Sequence, residues 1–212
     1  MRALVISGGG SKGAFAGGIA EFLINDCGQQ YSLFLGTSTG SLLIPLLALG
    51  KLERLKKIYN SVEQKDIFNI NPFIIKVSNV DSILKINHFN ILRMFLKRAK
   101  TFGESKNLRK LICDIITEED FITLKEMPAD VVVTVANMSC NLIEYKSVKD
   151  CSYNDFGNWG WASANMGQFM SLLQRVGYEY ADGGMGNMLP IAKAINRVPP
   201  TIDVFVLKTE KP

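Results

Sequence analysis

Residues 32–49 read SLFLGTSTGSLLIPLLAL: a short apolar run, a turn of small polar residues and a longer apolar run. We predict a buried strand over 32–35 and a buried helix over 39–49, because each run has the length of its element. Between them, Gly36-Thr37-Ser38-Thr39-Gly40 fits the pattern G-x-S-x-G. In a sharp strand-to-helix turn this pattern exposes the serine hydroxyl, and the flanking glycines relieve the crowding. The pattern predicts that Ser38 is a nucleophile; the alternative is an ordinary glycine-rich turn.

A second glycine-rich turn, Gly8-Gly9-Gly10-Ser11-Lys12-Gly13, lies between a predicted strand over 3–6 and a predicted helix over 14–25. It fits the dinucleotide fingerprint G-x-G-x-x-G, which also requires an acidic residue at the end of the next strand. This chain has Gly36 and the serine motif there instead. The other interpretation is an oxyanion hole, whose backbone N–H groups face the tetrahedral intermediate on Ser38. We favour an oxyanion hole formed by Gly8, Gly9, Gly10, Lys12 and Gly13, and nucleotide binding is the alternative.

The sequence has no obvious histidine that could accept the proton of Ser38. A Ser-His-Asp triad needs a histidine, and the chain has only His88. This residue lies in a poorly patterned middle segment rather than after a late strand, so we expect it to have no catalytic role. Asp182 ends a predicted strand and precedes Gly183 and Gly184, which let the backbone turn tightly around it. Asp182 is therefore the candidate base, although Asp-Gly-Gly alone also describes a simple turn.

These three motifs together resemble the patatin-like phospholipase family. That family combines a G-G-G-x-[RK]-G loop, a G-x-S-x-G turn and a late D-G-[GA], and this chain has all three in the same order. The resemblance implies a three-layer α/β fold, a Ser38–Asp182 dyad that works without histidine, and hydrolysis of acyl esters in phospholipids or other lipids. An acyltransferase using the same dyad, or a catalytically silent scaffold, is the alternative.

Two positions depart from the family pattern. Lys12 stands where many members have arginine, and it keeps the charge but lacks the planar fork of donors. The segment Ala162-Ser163-Ala164-Asn165-Met166 resembles the Ala-Ser-rich stretch of the family but lacks its usual proline. Neither departure involves the dyad, but both weaken any transfer of substrate preference.

The composition restricts the class of protein. The chain has 212 residues, of which 47% are hydrophobic and 21% charged, with a net charge of +4. These values indicate one globular domain over 1–212 and do not indicate a nucleic-acid partner. Four cysteines without C-x-x-C spacing and a single histidine make a metal site unexpected, and we expect no cofactor. With no signal peptide at the N-terminus, we predict reduced thiols and a cytoplasmic protein.

The remaining pattern predicts alternating strands and helices, and hence a mostly parallel sheet with helices on both faces. Predicted strands cover 131–135, 142–145, 178–181 and 202–207, and predicted helices cover 52–62, 108–116 and 188–196. Since the chain stops just after a strand, we expect a C-terminal helix beyond it. Residues 66–107 give no clear pattern except a basic amphipathic helix over 89–100. We expect this helix to pack its apolar face on the core; peripheral membrane contact through this face is the alternative.

Overall fold

A computed structural model describes residues 2–77, 82–197 and 200–207. The described strands are β1 Arg2–Ile6, β2 Leu33–Thr37, β3 Phe73–Val77, β4 Ser82–Ile86, β5 Asp130–Asn137, β6 Leu142–Ser147, β7 Leu173–Arg175, β8 Tyr178–Asp182 and β9 Thr201–Phe205. The described helices are α1 Gly13–Glu21, α2 Thr39–Ala48, α3 Leu52–Ser61, α4 Gln64–Ile67, α5 His88–Leu96, α6 Lys106–Ile115, α7 Glu118–Glu126, α8 Tyr153–Ser163 and α9 Ile191–Ile195. A π-helical turn, Phe22–Asp26, continues α1.

Within the described residues, the central sheet has seven strands, and its path runs β7-β8-β5-β2-β1-β9, with β6 paired to β5. The pairs β9–β1, β1–β2 and β2–β5 are parallel, whereas β6, β8 and β7 add antiparallel pairs around β5. The expected α/β architecture with a largely parallel centre is confirmed. Parallel pairing places the carboxyl ends of β1 and β2 side by side, so the turns that follow them lie at one edge of the sheet.

The strand β5 fixes the relation between the two halves of the sheet. Thr134 of β5 pairs with Thr37, the last residue of β2, and the next residue, Val135, pairs with Asp182. Because β6 occupies the opposite edge of β5, β2 and β8 share one edge. The end of β8 therefore lies next to the end of β2.

Helices lie on both faces of the sheet, but the two faces are covered unequally. Residues of β1, β2 and β5 that point to one side join a large core with α2, α6 and α8. On the other side the core is small, and the short helix α9 contributes Ala194. The helices most important for the site thus lie on the first face.

Helix α1 packs on its neighbours through small residues. Phe15 and Phe22 lie at helical spacing but are mainly exposed, and the buried positions of α1 are Gly13, Ala16, Gly17 and Ala20. Small residues allow α1 to approach its neighbours closely, so the packed face of this helix has no large side chains.

Residues 66–107, which gave no clear pattern, contain a separate two-stranded hairpin, β3–β4, followed by α5. The helix predicted over 89–100 ends at Leu96, and Arg98 has a left-handed φ of 52°. The expectation that its apolar face packs on the core is wrong. Met94 is buried, whereas Phe89, Leu92, Phe95 and Leu96 are exposed.

The acidic run Glu118-Glu119-Asp120 forms the first turn of α7. Thr117 and Asp120 form a reciprocal capping box there. Asp120 is buried, and it pairs with Lys51 and with Arg54 of α3. Burial opposes ionisation, but hydrogen bonds from Lys51, Thr117 and Arg54 prevail and lower the pKa of Asp120 to about 2. This carboxylate joins α7 to α3.

Among the residues that the structure describes, no helix combines the length and the apolar character needed to cross a bilayer.

Candidate active site

Ser38 occupies a strained backbone position between β2 and α2. Its φ of 55° and ψ of −125° fall outside the helical and strand regions, which typically costs about 1–3 kcal/mol. The flanking glycines are required because the backbones approach closely. A Cβ on Gly40 would lie 2.4 Å from the carbonyl oxygen of Ile6, and one on Gly36 would lie 2.4 Å from the Gly40 carbonyl carbon. The two glycines therefore allow β2 and α2 to meet in this sharp turn.

Asp182 lies within hydrogen-bond distance of Ser38. The Ser38 hydroxyl donates to Asp182 Oδ2 at 2.7 Å, and the Gly184 N–H donates to Oδ1 at 2.7 Å. Asp182 is only 6% exposed. Burial raises the pKa of this carboxyl, and the hydrogen bonds from Ser38 and Gly184 offset only part of the rise. The carboxylate is thus a stronger base than an exposed aspartate.

The C-terminal end of α8 and the residues that follow it support both residues, a role that sequence reasoning missed. Ser163 Oγ accepts the Ser38 N–H at 3.0 Å and donates to the carbonyl oxygen of Thr134 at 2.6 Å. Two residues later, the carbonyl oxygen of Asn165 accepts the Asp182 N–H at 2.9 Å. The Ala-Ser-rich stretch was the available signal, but its composition did not reveal these contacts.

The glycine-rich turn after β1 lies against Ser38. A Cβ on Gly8 would be 3.0 Å from the Ser38 Cβ, an unusually tight contact that glycine avoids. The Gly8 N–H donates to the carbonyl oxygen of Met188, and the N–H groups of Lys12 and Gly13 donate to carbonyls within the turn. Those three amides are therefore occupied. Within the described part of the chain, the N–H groups of Gly9 and Gly10 have no such acceptor.

The two threonines of the serine motif point to different neighbours. Thr37 Oγ1 donates to the carbonyl oxygen of Asn187 at 3.1 Å, which connects β2 to the turn after Asp182. Thr39 Oγ1 lies 2.7 Å from the hydroxyl of Tyr59 on α3. Both threonines are buried, so they hold the turn in place.

A cavity of about 660 Å³ begins at Ser38 and Asp182 and extends between the helices of the larger core. Its walls come mainly from α2, α3, α6 and α8, and they are largely apolar. Two lining residues near Ser38, Met166 and Met188, are exposed and mark the opening. Such a volume falls in the range of small-molecule sites, and its lining suits a hydrocarbon chain.

The other candidate groups lie outside this site. His88 is the exposed first residue of α5 and does not line the cavity. The four cysteines are free thiols, and Cys113 lines the cavity away from the dyad. Within residues 2–77, 82–197 and 200–207, no group of three or more His, Cys, Asp or Glu side chains could hold a metal.

Comparisons with known proteins agree with this fold. The model of the patatin-like phospholipase family matches residues 4–195. The structure is also similar to the crystal structure of VipD from Legionella pneumophila, with a TM-score of 0.52 and 16% identity. That match covers 87% of this chain and 46% of VipD, so the chain spans under half of the VipD length. A search of curated proteins gave no match.

The fold and the family model together define the class: this chain belongs to the patatin-like phospholipase family. The likeness to VipD supports the fold alone, since identity is low. The resemblance drawn from the three motifs is confirmed at the level of the family.

The raised pKa of Asp182 gives a stability prediction. A buried carboxyl whose pKa is raised holds its proton more tightly when folded than when unfolded, so ionisation above that pKa costs stability. Asp182→Asn retains a carbonyl acceptor for Gly184 and removes the charge. We expect its melting temperature at pH 7 to equal or exceed that of the wild type. The difference should shrink as the pH falls below the ordinary carboxyl range. A clearly lower melting temperature for Asp182→Asn would contradict this account, and Asp26→Asn on the surface is the matched control.

Proposed function

We propose that this chain is a lipid acyl hydrolase that cleaves carboxylic esters of phospholipids or related lipids through an acyl-enzyme on Ser38. Asp182 is the general base in this proposal. The observation that carries it is the 2.7 Å hydrogen bond from Ser38 Oγ to a buried carboxylate at the mouth of an apolar cavity. A nucleophile beside its base is the arrangement that acyl transfer requires.

In the first step, Ser38 Oγ attacks the ester carbonyl carbon while its proton passes to Asp182 Oδ2. The carbonyl oxygen becomes an oxyanion, for which the Gly9 and Gly10 N–H groups are the proposed donors, with Thr39 N–H as a third. The C–O bond to the alcohol then breaks, and Asp182 returns the proton to that leaving oxygen. The product is an acyl ester of Ser38 and a free alcohol such as a lysophospholipid.

In the second step, a water molecule replaces the alcohol. Asp182 takes a proton from water as its oxygen attacks the acyl carbonyl, and Ser38 leaves with that proton to regenerate the hydroxyl. The raised pKa of Asp182 suits both steps, because a stronger base accepts the proton more readily. If an alcohol acceptor attacks in place of water, the same acyl-enzyme makes the chain an acyltransferase.

The acyl chain of the substrate is the proposed occupant of the cavity. The walls that extend from Ser38 are apolar, and each buried CH₂ group contributes roughly 0.8 kcal/mol. Binding energy from the chain thus holds the ester at the dyad while the alcohol portion stays near the exposed opening at Met166 and Met188.

The dyad is tested by hydrolysis of p-nitrophenyl esters and of phospholipid vesicles. We expect Ser38→Ala to lower kcat on the order of 10⁶-fold, as for other serine nucleophiles, and Asp182→Asn to abolish most turnover. In the wild type, kcat/KM should fall as the pH drops through the raised pKa of Asp182, so the acid limb lies above the ordinary carboxyl range.

Ser61→Ala and Asp26→Asn are the matched surface controls for the dyad variants, and both should keep wild-type turnover. Full activity of Ser38→Ala would refute the proposal. A rise in melting temperature with NAD or ATP, with Ser38 dispensable, would favour nucleotide binding at Gly8–Gly13 instead. Analysis of the acyl product, as free acid or as a new ester, separates hydrolase from acyltransferase.

Ser163→Ala tests the positioning of the nucleophile. It removes the acceptor for the Ser38 N–H and leaves that partly buried group unpaired, a loss of about 1–3 kcal/mol in the free energy of unfolding. We expect kcat to fall while KM changes little, because the variant alters the orientation of Ser38 and leaves the cavity intact.

Ser147→Ala is the matched control, because Ser147 is also buried and donates to Asp130 far from the dyad. It should lose comparable stability with no change in kcat. Equal kcat values for Ser163→Ala and the wild type would show that Ser163 is only structural.

Gly160→Leu tests whether the acyl chain of the substrate occupies the cavity. Gly160 lies in α8 and lines the cavity, and a Cβ there would meet only Ile112, at 3.9 Å. A leucine side chain would occupy space that the acyl chain needs. We expect the ratio of kcat/KM for long-chain to short-chain esters to fall by roughly tenfold or more, since several CH₂ groups lose burial.

Gly18→Leu on α1 is the control, because a Cβ there meets nothing within 4 Å. This variant should keep the wild-type chain-length profile. An unchanged profile in Gly160→Leu would place the acyl chain elsewhere.

A further inference from the structure

The hairpin β3–β4 and helix α5 expose an unusual amount of apolar side chain. On α5, Phe89 is 75% exposed, Leu92 55%, Phe95 76% and Leu96 73%. These residues lie at spacings of three and four, so they form one stripe along the helix. The opposite side of α5 carries Met94, which is buried. The helix therefore turns its strongest apolar face to the outside.

The hairpin adds a second apolar surface directly before this stripe. Cross-strand pairing places Ile75 opposite Leu84 and Phe73 opposite Ile86, on one face of the ribbon. Leu84 is 60% exposed and Ile86 52%. A two-stranded ribbon is marginally stable in water by itself, so covering this face would stabilise it. Ile86 and Phe89 are separated by two residues, so the two surfaces adjoin. We call them together the apolar ridge, residues 73–77 and 82–96.

Positive charge accompanies the apolar ridge. Residues 73–100 contain Lys76, Lys85, Arg93, Lys97, Arg98 and Lys100 against Asp81 alone, a net charge of +5 in a chain whose total is +4. The rest of the chain is therefore close to neutral.

Some of this charge is uncompensated. Lys97 lies 3.9 Å from Glu104 and Lys100 lies 2.5 Å from Glu179. Within the described part of the chain, Lys85, Arg93 and Arg98 form no ion pair. Exposed apolar side chains with unpaired cations beside them are the combination that binds an anionic lipid surface.

The base of the hairpin also contacts the wall of the cavity. The centroid of the Phe73 ring lies 6.3 Å from the ring centroid of Phe68 and 5.0 Å from that of Phe169. Phe68 lines the cavity, and Phe169 lies in the segment between its lining residues Met166 and Met170. The ridge is thus built onto the same wall that we propose for the acyl chain.

We propose that the apolar ridge is a docking surface for a membrane that contains anionic lipids. The apolar side chains of α5 and the hairpin face with Leu84 and Ile86 enter the interface, and Arg93 and Arg98 contact the lipid phosphates and anionic headgroups. Docking is separate from turnover, because the ridge contains none of the residues proposed for the dyad or the oxyanion hole.

Vesicle flotation of the full chain tests the proposal, with Ser38→Ala as the parent so that lipid is not consumed. We expect this protein to float with phosphatidylcholine vesicles that contain phosphatidylserine, and to bind vesicles of phosphatidylcholine alone more weakly. Phe95→Asp and Leu84→Asp should each weaken binding by roughly tenfold or more, since each removes an exposed apolar side chain that docking would bury in the interface. Arg93→Glu should weaken binding to the anionic vesicles by about fivefold or more.

Ile122→Asp on α7 is the matched control, because Ile122 is an exposed helical residue outside the ridge. It should bind as the parent does. In an otherwise wild-type background, the ridge variants should keep the melting temperature and the turnover of a soluble p-nitrophenyl ester.

Several outcomes would overturn the proposal. One is an absence of flotation with both kinds of vesicle. Another is equal vesicle binding by Phe95→Asp and the parent. A dimer that Phe95→Asp converts to a monomer, with no vesicle binding, would identify a second copy of the chain as the occupant. The proposed function is tested separately, because flotation by the Ser38→Ala parent does not depend on its chemistry.

Discussion

The hydrogen bond between Ser38 and Asp182 depends on the register of a single strand. β5 pairs with the end of β2 and with the end of β8 along the same edge, so Thr37 and Asp182 lie opposite consecutive residues. A shift of one residue would turn Asp182 to the other face of the sheet. The buried core around β5 fixes this register, so packing far from the cavity determines the distance at the dyad.

The site combines two unfavourable features that the surrounding structure sustains. Ser38 has a strained backbone, and Asp182 is a carboxyl buried among apolar groups. Glycines at 36 and 40 permit the first. The Ser163 hydroxyl and the Asn165 carbonyl accept hydrogen bonds from the backbone N–H groups of Ser38 and Asp182. Strain and burial of this kind are typical of sites where stability is given up for reactivity. In our proposals, the cavity that begins at this site binds the acyl chain and the apolar ridge contacts the lipid surface.

The sequence predicted the motifs, most strands of the sheet and the family, because glycine patterns and buried apolar runs depend on local chemistry. The motifs predicted a Ser38–Asp182 dyad, but not the strand register that brings the two residues together, since register depends on contacts distant in sequence. The sequence indicated Ser163 only as part of an Ala-Ser-rich stretch and did not predict its hydrogen bond to Ser38. The hairpin was missed because adjacent isoleucines such as Ile74 and Ile75 lack the alternation of a half-buried strand. Helix α5 was predicted from its periodicity. The periodicity indicates an apolar stripe along the helix, but it does not show whether the protein core or another partner covers that stripe.

The most direct test of the central claim is to trap the covalent intermediate. The wild-type chain would be treated with an alkyl fluorophosphonate, which phosphonylates activated serines, and digested for mass spectrometry. The account predicts one modified peptide, with the adduct on Ser38, and strongly slowed labelling in Asp182→Asn while Asp26→Asn labels at the wild-type rate. An adduct on another residue, or labelling of Ser38 at an equal rate without the Asp182 carboxylate, would contradict the proposed dyad.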